Sequence, residues 1–207
     1  MVKTPEQFYR ELGAKRLAVR KSEAHTRKEL SYLKKYLNKK QKILDLACGY
    51  GRFTIPLAKQ GYTIQGIDIS SNLIVKAKKT ARKEGLNLKF QIGDMRKLPY
   101  EDNSFDSIIC MWSAFAELSK EKDQKKALKE MLRILRKEGF AFLEMPEPKK
   151  TKKKIEIGII EGIKAMPMYQ QNKISLTKLM KVIQPKKYKI FVDNFGGRNR
   201  LLVLFWK

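Results

Sequence analysis

The chain has little of several things, and each shortage excludes something. Of its 207 residues only two are cysteines, Cys48 and Cys110, and only one is a histidine, His25. Two scattered cysteines do not make a disulfide framework, and they suit a reducing compartment such as the cytoplasm. One imidazole and two separated thiols do not supply the ligand set of a zinc site, so no metal is expected. No apolar run reaches membrane-spanning length, and the opening Met-Val-Lys-Thr-Pro-Glu-Gln lacks the apolar stretch of a signal peptide. Acidic residues are scarce as well, 21 against 46 basic ones, for a net charge of +25. Such a charge implies an acidic partner (RNA, an anionic metabolite or a membrane surface) or, alternatively, a lysine coat with no specific partner. Lysine supplies 35 of the basic residues and arginine 11. Nucleic-acid sites lean more on arginine, which tilts the balance somewhat toward the coat, and both readings stay open.

What is present is enough for one core. With 43% apolar residues, residues 1–207 are expected to form a single domain. Residues 5–39 read as helix with a break near Arg20–Ser22, Ser22 capping the second piece, where Leu30, Leu33 and Leu37 recur at helical spacing. From Gln41 strands (43–47, 62–68, 87–92, 105–112, 139–145) alternate with helices (52–60, 71–84, 122–137), the pattern of a parallel sheet covered by helices on both faces. Pro146, Pro148 and the run Lys149-Lys-Thr-Lys-Lys-Lys154 interrupt the rhythm and open an irregular or short helical insert, 146–173. A last helix, about 175–184, is expected to be capped by Ser175 and to stop before Pro185. Two final strands, 187–195 and 200–206, flank Phe195-Gly-Gly-Arg-Asn199, a hairpin signal that makes the pair antiparallel.

The most informative stretch is Ile43-Leu-Asp-Leu-Ala-Cys-Gly-Tyr-Gly-Arg52. It reads as a buried strand ending in an acid, then a turn with Gly49 and Gly51, then a helix start, which together make a cradle for a small ligand. Asp68 ends the second strand, 17 residues after Gly51, and Asp94 ends the third. Strand ends of a parallel sheet open on one edge, so Asp45, Asp68 and Asp94 converge there. An acid after the second strand suits the two hydroxyls of a ribose. A nicotinamide site uses such an acid too, but its fingerprint wants a third glycine where this chain has Thr54, and it leaves Asp45 and Asp94 without a role.

Four ordered motifs give the sequence a family likeness. Asp45-Leu-Ala-Cys-Gly-Tyr-Gly51, Gly66-Ile-Asp-Ile-Ser70, Gly93-Asp-Met-Arg-Lys-Leu-Pro-Tyr-Glu-Asp-Asn-Ser-Phe-Asp106 and Leu128-Lys-Glu-Met-Leu-Arg-Ile-Leu-Arg-Lys-Glu-Gly-Phe140 resemble, in order, the motifs of class I S-adenosylmethionine-dependent methyltransferases. The likeness is to the broad small-molecule and ubiquinone-biosynthesis group and covers about residues 41–145. It implies an α/β, Rossmann-like fold with a seven-stranded, mostly parallel sheet, helices on both faces and an antiparallel C-terminal hairpin. It also implies S-adenosyl-L-methionine as cofactor and S-adenosyl-L-homocysteine as product. Residues 41–145 would be the cofactor-binding core, 1–40 helices covering the site, 146–173 a substrate-side insert, and 174–207 the last helix and hairpin. By the same resemblance Asp45, Gly49, Gly51 and the Ala47 backbone belong to the cofactor site, where the glycines and Ala47 cradle the methionine part. Asp68 holds the ribose, Ile69 packs on the adenine, Asp94 takes the adenine amino group, and the Met95 backbone contacts the ring. Met111 and Trp112 line the cofactor and substrate pocket.

Transfer to an N, O, C or S acceptor by in-line attack needs positioning above all, and a general base only where the nucleophile requires one. Tyr9, Arg16, His25, Trp112, Glu144 and Tyr169 are candidates for the acceptor pocket, and core packing or a solvated surface explains each of them comparably well. After the fourth strand Ile109-Cys-Met-Trp-Ser113 lacks the Asn/Asp-Pro-Pro-aromatic signature of base-amine methylation, and Cys110 reads as a buried strand residue rather than a nucleophile. The expected acceptor is a small molecule. RNA, above all tRNA, gripped by a basic rim of Lys15, Arg16, Arg20, Lys21 and Lys149–Lys154, is the alternative. A cofactor-binding partner subunit without turnover is a third reading. A monomer or homodimer is expected.

Overall fold

The computed structural model describes residues 4–19, 22–147, 159–160, 163–164 and 173–207. The Tyr169 candidate, the lysine run 149–154 and basic-rim residues Arg20 and Lys21 lie outside these residues. In chain order the elements are α1 (Pro5–Val19), α2 (Glu23–Leu33), β1 (Lys42–Leu46), α3 (Thr54–Lys59), β2 (Thr63–Asp68), α4 (Ser71–Lys83), β3 (Phe90–Ile92), β4 (Phe105–Cys110), α5 (Glu121–Ile134) and β5 (Leu135–Pro146). Two two-residue strands follow, β6 (Ile159–Ile160) and β7 (Ile163–Lys164), then α6 (Lys173–Ile183), β8 (Lys187–Phe195) and β9 (Arg198–Trp206).

Seven strands form one sheet in the order β3-β2-β1-β4-β5-β9-β8. The first five are parallel, and β9 and β8 join antiparallel. Alternation along the strands sorts the core into two layers. Leu44, Leu46, Ile108, Cys110, Ala141 and Leu143 pack with Ala127, Leu128 and Met131 of α5 and with Leu176 and Met180 of α6. Ile43, Ile109, Phe142 and Leu204 pack with Leu30 and Leu33 of α2 and Leu57 of α3. Leu33, Ile43, Leu44 and Leu57 are fully buried, each worth about 1.5–3 kcal/mol of transfer free energy. The hairpin expected at Phe195–Asn199 is present: Phe195 faces Arg198 across Gly196 and Gly197, both at positive φ. A Cβ on Gly196 would lie 2.5 Å from Glu29 Cγ, so this turn is also where α2 docks.

Several boundaries differ from the sequence reading. Ser22 does cap α2, accepting the His25 N–H at 3.2 Å, but α2 ends at Leu33 and turns carry the chain to β1. Helix α1 is kinked at Gly13 (φ 69°, ψ 159°). Ser175 lies inside α6 rather than at its cap. Strand β4 stops at Cys110, because Trp112 (φ 56°) and Ser113 (φ 67°) turn left-handed and cannot continue a ladder. Helix α5 gives way at Leu135, which pairs with Phe105; pairing lapses over 136–139 and resumes with Phe140 opposite Ser107. Gly139 closes that lapse, since a Cβ there would meet the Arg136 and Asp106 carbonyl oxygens at 2.8 and 2.9 Å.

Candidate active site

Strand order reverses between β1 and β4. From β1 the chain crosses outward to β2, whereas from β4 it crosses the other way to β5. The loops leaving β1 and β4 therefore diverge and leave a crevice at the carboxyl edge of the sheet, the usual ligand position in such folds. The loop after β1 is built for close approach. Ala47 (φ 61°), Gly49 (φ 56°) and Gly51 (φ 84°) are all left-handed. The Gly51 N–H donates to the Cys48 carbonyl at 3.0 Å, and the Ile55 N–H to the Gly51 carbonyl, so the turn runs straight into α3.

The two glycines serve different needs. A Cβ at Gly49 would meet only Leu73 Cδ1 at 3.8 Å, so space lies beside the backbone there. At Gly51 it would lie 2.9 Å from Ile55 Cδ1 and 3.2 Å from Phe90 Cζ, which is a packing constraint.

Asp68, at the end of β2, clamps this loop. One carboxylate oxygen accepts the Gly49 N–H and the other the Ser70 N–H, both at 2.8 Å. Burial raises its pKa, and those two N–H groups work against the rise. Asp45 is 1% exposed and accepts the Thr54 hydroxyl at 2.6 Å. Burial lifts it from 3.8 to about 7, with the Thr54 bond opposing, the Asp68 charge adding and Arg52 opposing. Asp94 stands two residues past β3 on the same edge, and its carboxylate is held by the Arg96 backbone N–H at 2.8 Å and by the Arg96 guanidinium. Partial burial disfavours its charge, but Arg96 outweighs burial and holds the carboxyl below the usual range. Ile69 and Met95 are half-buried. Met111 is buried in the layer under α2. Cys110 is fully buried and its thiol is pushed well up by burial, which disfavours the thiolate.

The acceptor candidates scatter. Trp112 is half-buried with Tyr9 and Tyr50 around Phe8 and Leu12 of α1 and Leu73 of α4. Arg16 is exposed. Glu144 is 3% exposed and its carboxylate is taken by Arg200, whose other arm donates to the Ser113 hydroxyl at 2.5 Å. His25 Nε2 lies 3.0 Å from Glu29 Oε1.

Three features here are absent from the sequence reading. Arg52, next to Gly51, forms a buried ion pair with Glu29 at 2.5 Å and stacks over Phe53 and Trp112, at 4.1 and 5.1 Å from the ring centres. The Arg200–Glu144–Ser113 link ties the left-handed turn after β4 to β9. Glu117, on a single 3-10 turn at 114–117, accepts a hydrogen bond from the Tyr9 hydroxyl of α1. Its sequence signal was a lone carboxyl a short turn past the fourth strand.

A family model described as a methyltransferase domain matches residues 43–139. The chain is 33% identical over 103 residues to a glycine/sarcosine N-methyltransferase from Parasynechococcus marenigrum, covering 49% of this chain and 36% of that protein. It is 41% identical over 117 residues to a demethylmenaquinone methyltransferase from Staphylococcus aureus, covering 54% and 46%. The chain thus spans less than half the length of these two relatives. The crystal structure of PH0226 from Pyrococcus horikoshii superposes with a TM-score of 0.72 over 96% of this chain and 97% of that one, at 24% identity, a likeness of fold. Glycine turn, clamping acid and strand order agree with that match: residues 43–139 resemble the methyltransferase domain of class I S-adenosylmethionine-dependent methyltransferases, in a Rossmann-like fold.

Proposed function

We propose that the chain transfers a methyl group from S-adenosylmethionine to a small-molecule acceptor at the crevice between β1 and β4. The observation that carries this reading is the clamp of Asp68 on the Gly49 loop. The residues present suit the cofactor. Gly49 leaves room beside the backbone, and each Asp68 oxygen, with one N–H bond made, retains capacity for a ribose hydroxyl. Arg52 Nε and Nη2 are buried without a hydrogen-bond partner among the described residues, donors of the kind a carboxylate takes. Ala47, Gly49 and Gly51 would hold the methionine part. Asp68 would bind the ribose, with Ile69, Asp94 and Met95 around the base and Met111 behind. Asp45 contributes through Thr54, fixing where α3 begins. When bound, the cofactor supplies a sulfonium methyl whose departure leaves a neutral thioether, so the chain's own task is to hold, align and exclude water.

A small acceptor is favoured by the names of the two relatives, glycine/sarcosine and demethylmenaquinone being small molecules. The test is transfer of labelled methyl into a cell extract by the purified chain, with Asp68→Ala as blank. Acid-soluble label supports the metabolite reading. Acid-precipitable label destroyed by ribonuclease replaces it with an RNA acceptor, and S-adenosylhomocysteine binding with no transfer replaces it with a non-catalytic subunit.

A further inference from the structure

Among the described residues, Glu117 is a carboxyl at the crevice that neither shapes the glycine loop nor has a salt-bridge partner. It lies on the 3-10 turn that follows the left-handed Trp112–Ser113 step, on the divergent loop of β4. Its side chain meets the Tyr9 hydroxyl from α1. Half-buried Tyr9, Tyr50 and Trp112 gather around the same α1 contact. Glu117 feels the charge of Asp68 at the end of β2, and its own charge reaches Cys110 of β4. Tyr9, which holds Glu117, packs in the same cluster as Tyr50 of the glycine loop and Trp112, so Glu117 lies beside the cofactor side of the crevice on the loop opposite.

We propose that Glu117 receives the proton of the methyl acceptor, with Tyr9 positioning its carboxyl, and that the acceptor is an amine or hydroxyl that must lose a proton on methylation. This rests on the methyltransferase reading. The balance is simple. On methylation the acceptor's N or O gains a bond to carbon, the carbon–sulfur bond breaks with its electron pair left on sulfur, and the N–H or O–H proton passes to a Glu117 oxygen and on to water. Three physical points suit Glu117 to this. Burial, with the Asp68 charge adding and the Tyr9 hydrogen bond opposing, lifts it from 4.5 to about 8, near the operating pH where a general base works best. The residue keeps part of its surface open, which gives the proton a way out. The left-handed pair before it fixes the loop, and the Arg200 contact to Ser113 braces that pair from β9.

The experiment compares wild type, Glu117→Gln and Tyr9→Phe as full chains. Calorimetry with S-adenosylhomocysteine comes first. Glu117→Gln is expected to bind as wild type does, which also shows it folded; a wild type that does not bind sinks the methyltransferase reading itself. Labelled methyl transfer into the acid-soluble fraction of a cell extract is then followed against pH. Wild type should lose rate below about pH 8, and Glu117→Gln should be slower by about 100- to 10,000-fold with that limb gone. Tyr9→Phe should keep the limb but move it upward. Equal rates in wild type and Glu117→Gln overturn the proposal. Should the extract offer no acceptor, carbon-13 carboxyl NMR of the S-adenosylhomocysteine complex decides. A glutamate titrating near 8 that disappears in Glu117→Gln sustains it, and no glutamate titrating above the ordinary range refutes it.

Discussion

Replacing Asp45 with asparagine should stabilise the protein at neutral and alkaline pH. Asp45 is 1% exposed, and burial lifts its pKa from 3.8 to about 7, with Asp68 adding and Thr54 and Arg52 opposing. The sign follows from linkage. A carboxyl raised on folding binds its proton more tightly in the folded state, so its contribution is fully present below pH 3.8 and is lost as pH rises through about 7. Each pH unit of that window is worth about 1.4 kcal/mol, so ionised Asp45 costs on the order of 4 kcal/mol at pH 8 relative to an unperturbed carboxyl. Asparagine nearly matches the shape and still accepts the Thr54 hydroxyl, but it has no proton to lose. Urea unfolding of both proteins from pH 4 to pH 8 gives the test, because the other raised carboxyls, Asp68 and Glu117, are common to both and cancel. The asparagine variant should gain on wild type steadily across the window and level off above pH 7. A stability difference that stays flat with pH would refute the reasoning, since it would mean that Asp45 titrates as an ordinary carboxyl.

Other substitutions separate conformational from packing demands. Gly49→Ala should cost about 1–2 kcal/mol, the penalty of a left-handed alanine with space around it. Gly51→Ala should cost more, roughly 2–5 kcal/mol, because overpacking against Ile55 and Phe90 is added; paired urea titrations compare the two. Arg52→Ala should destabilise by about 3–5 kcal/mol, since buried Glu29 loses its guanidinium partner and keeps only the His25 contact. The double variant Arg52→Met with Glu29→Leu should recover most of that loss in thermal unfolding. Gly196→Ala should loosen the docking of α2, read as earlier amide exchange at Leu30 and Leu33, because its Cβ would strike the Glu29 side chain.

The sheet was legible because its signals are local. Ile43–Leu46, Ile64–Ile67 and Phe105–Cys110 carry the apolar runs of buried parallel strands, and Gly196-Gly197 requires the positive φ that a two-residue hairpin uses. The glycine turn and Asp68 were legible for the same reason, as neighbours of strands that periodicity had already located. What escaped were pairings made by the fold. Glu29 reads as a polar residue beside Leu30, and its buried partner Arg52 arrives from a turn 23 residues later. Glu117 gains its environment from Tyr9, 108 residues upstream. Glu144 was readable as a strand-end acid, but its partner Arg200 comes from β9, which joins β5 across the insert. The shortened β4 and the lapse in β5 escaped because left-handed Trp112, Ser113 and Glu138 carry no residue-type signal for that conformation.

The most direct test of the account is calorimetric titration of the purified chain with S-adenosylhomocysteine, run beside Asp68→Ala. The account predicts one site per chain with micromolar affinity, weakened at least about 100-fold by the substitution, because the ribose loses its acceptor and the Gly49 and Ser70 N–H groups lose the carboxylate that organises the loop. Equal binding by both proteins, or no heat with wild type at millimolar ligand, would contradict it.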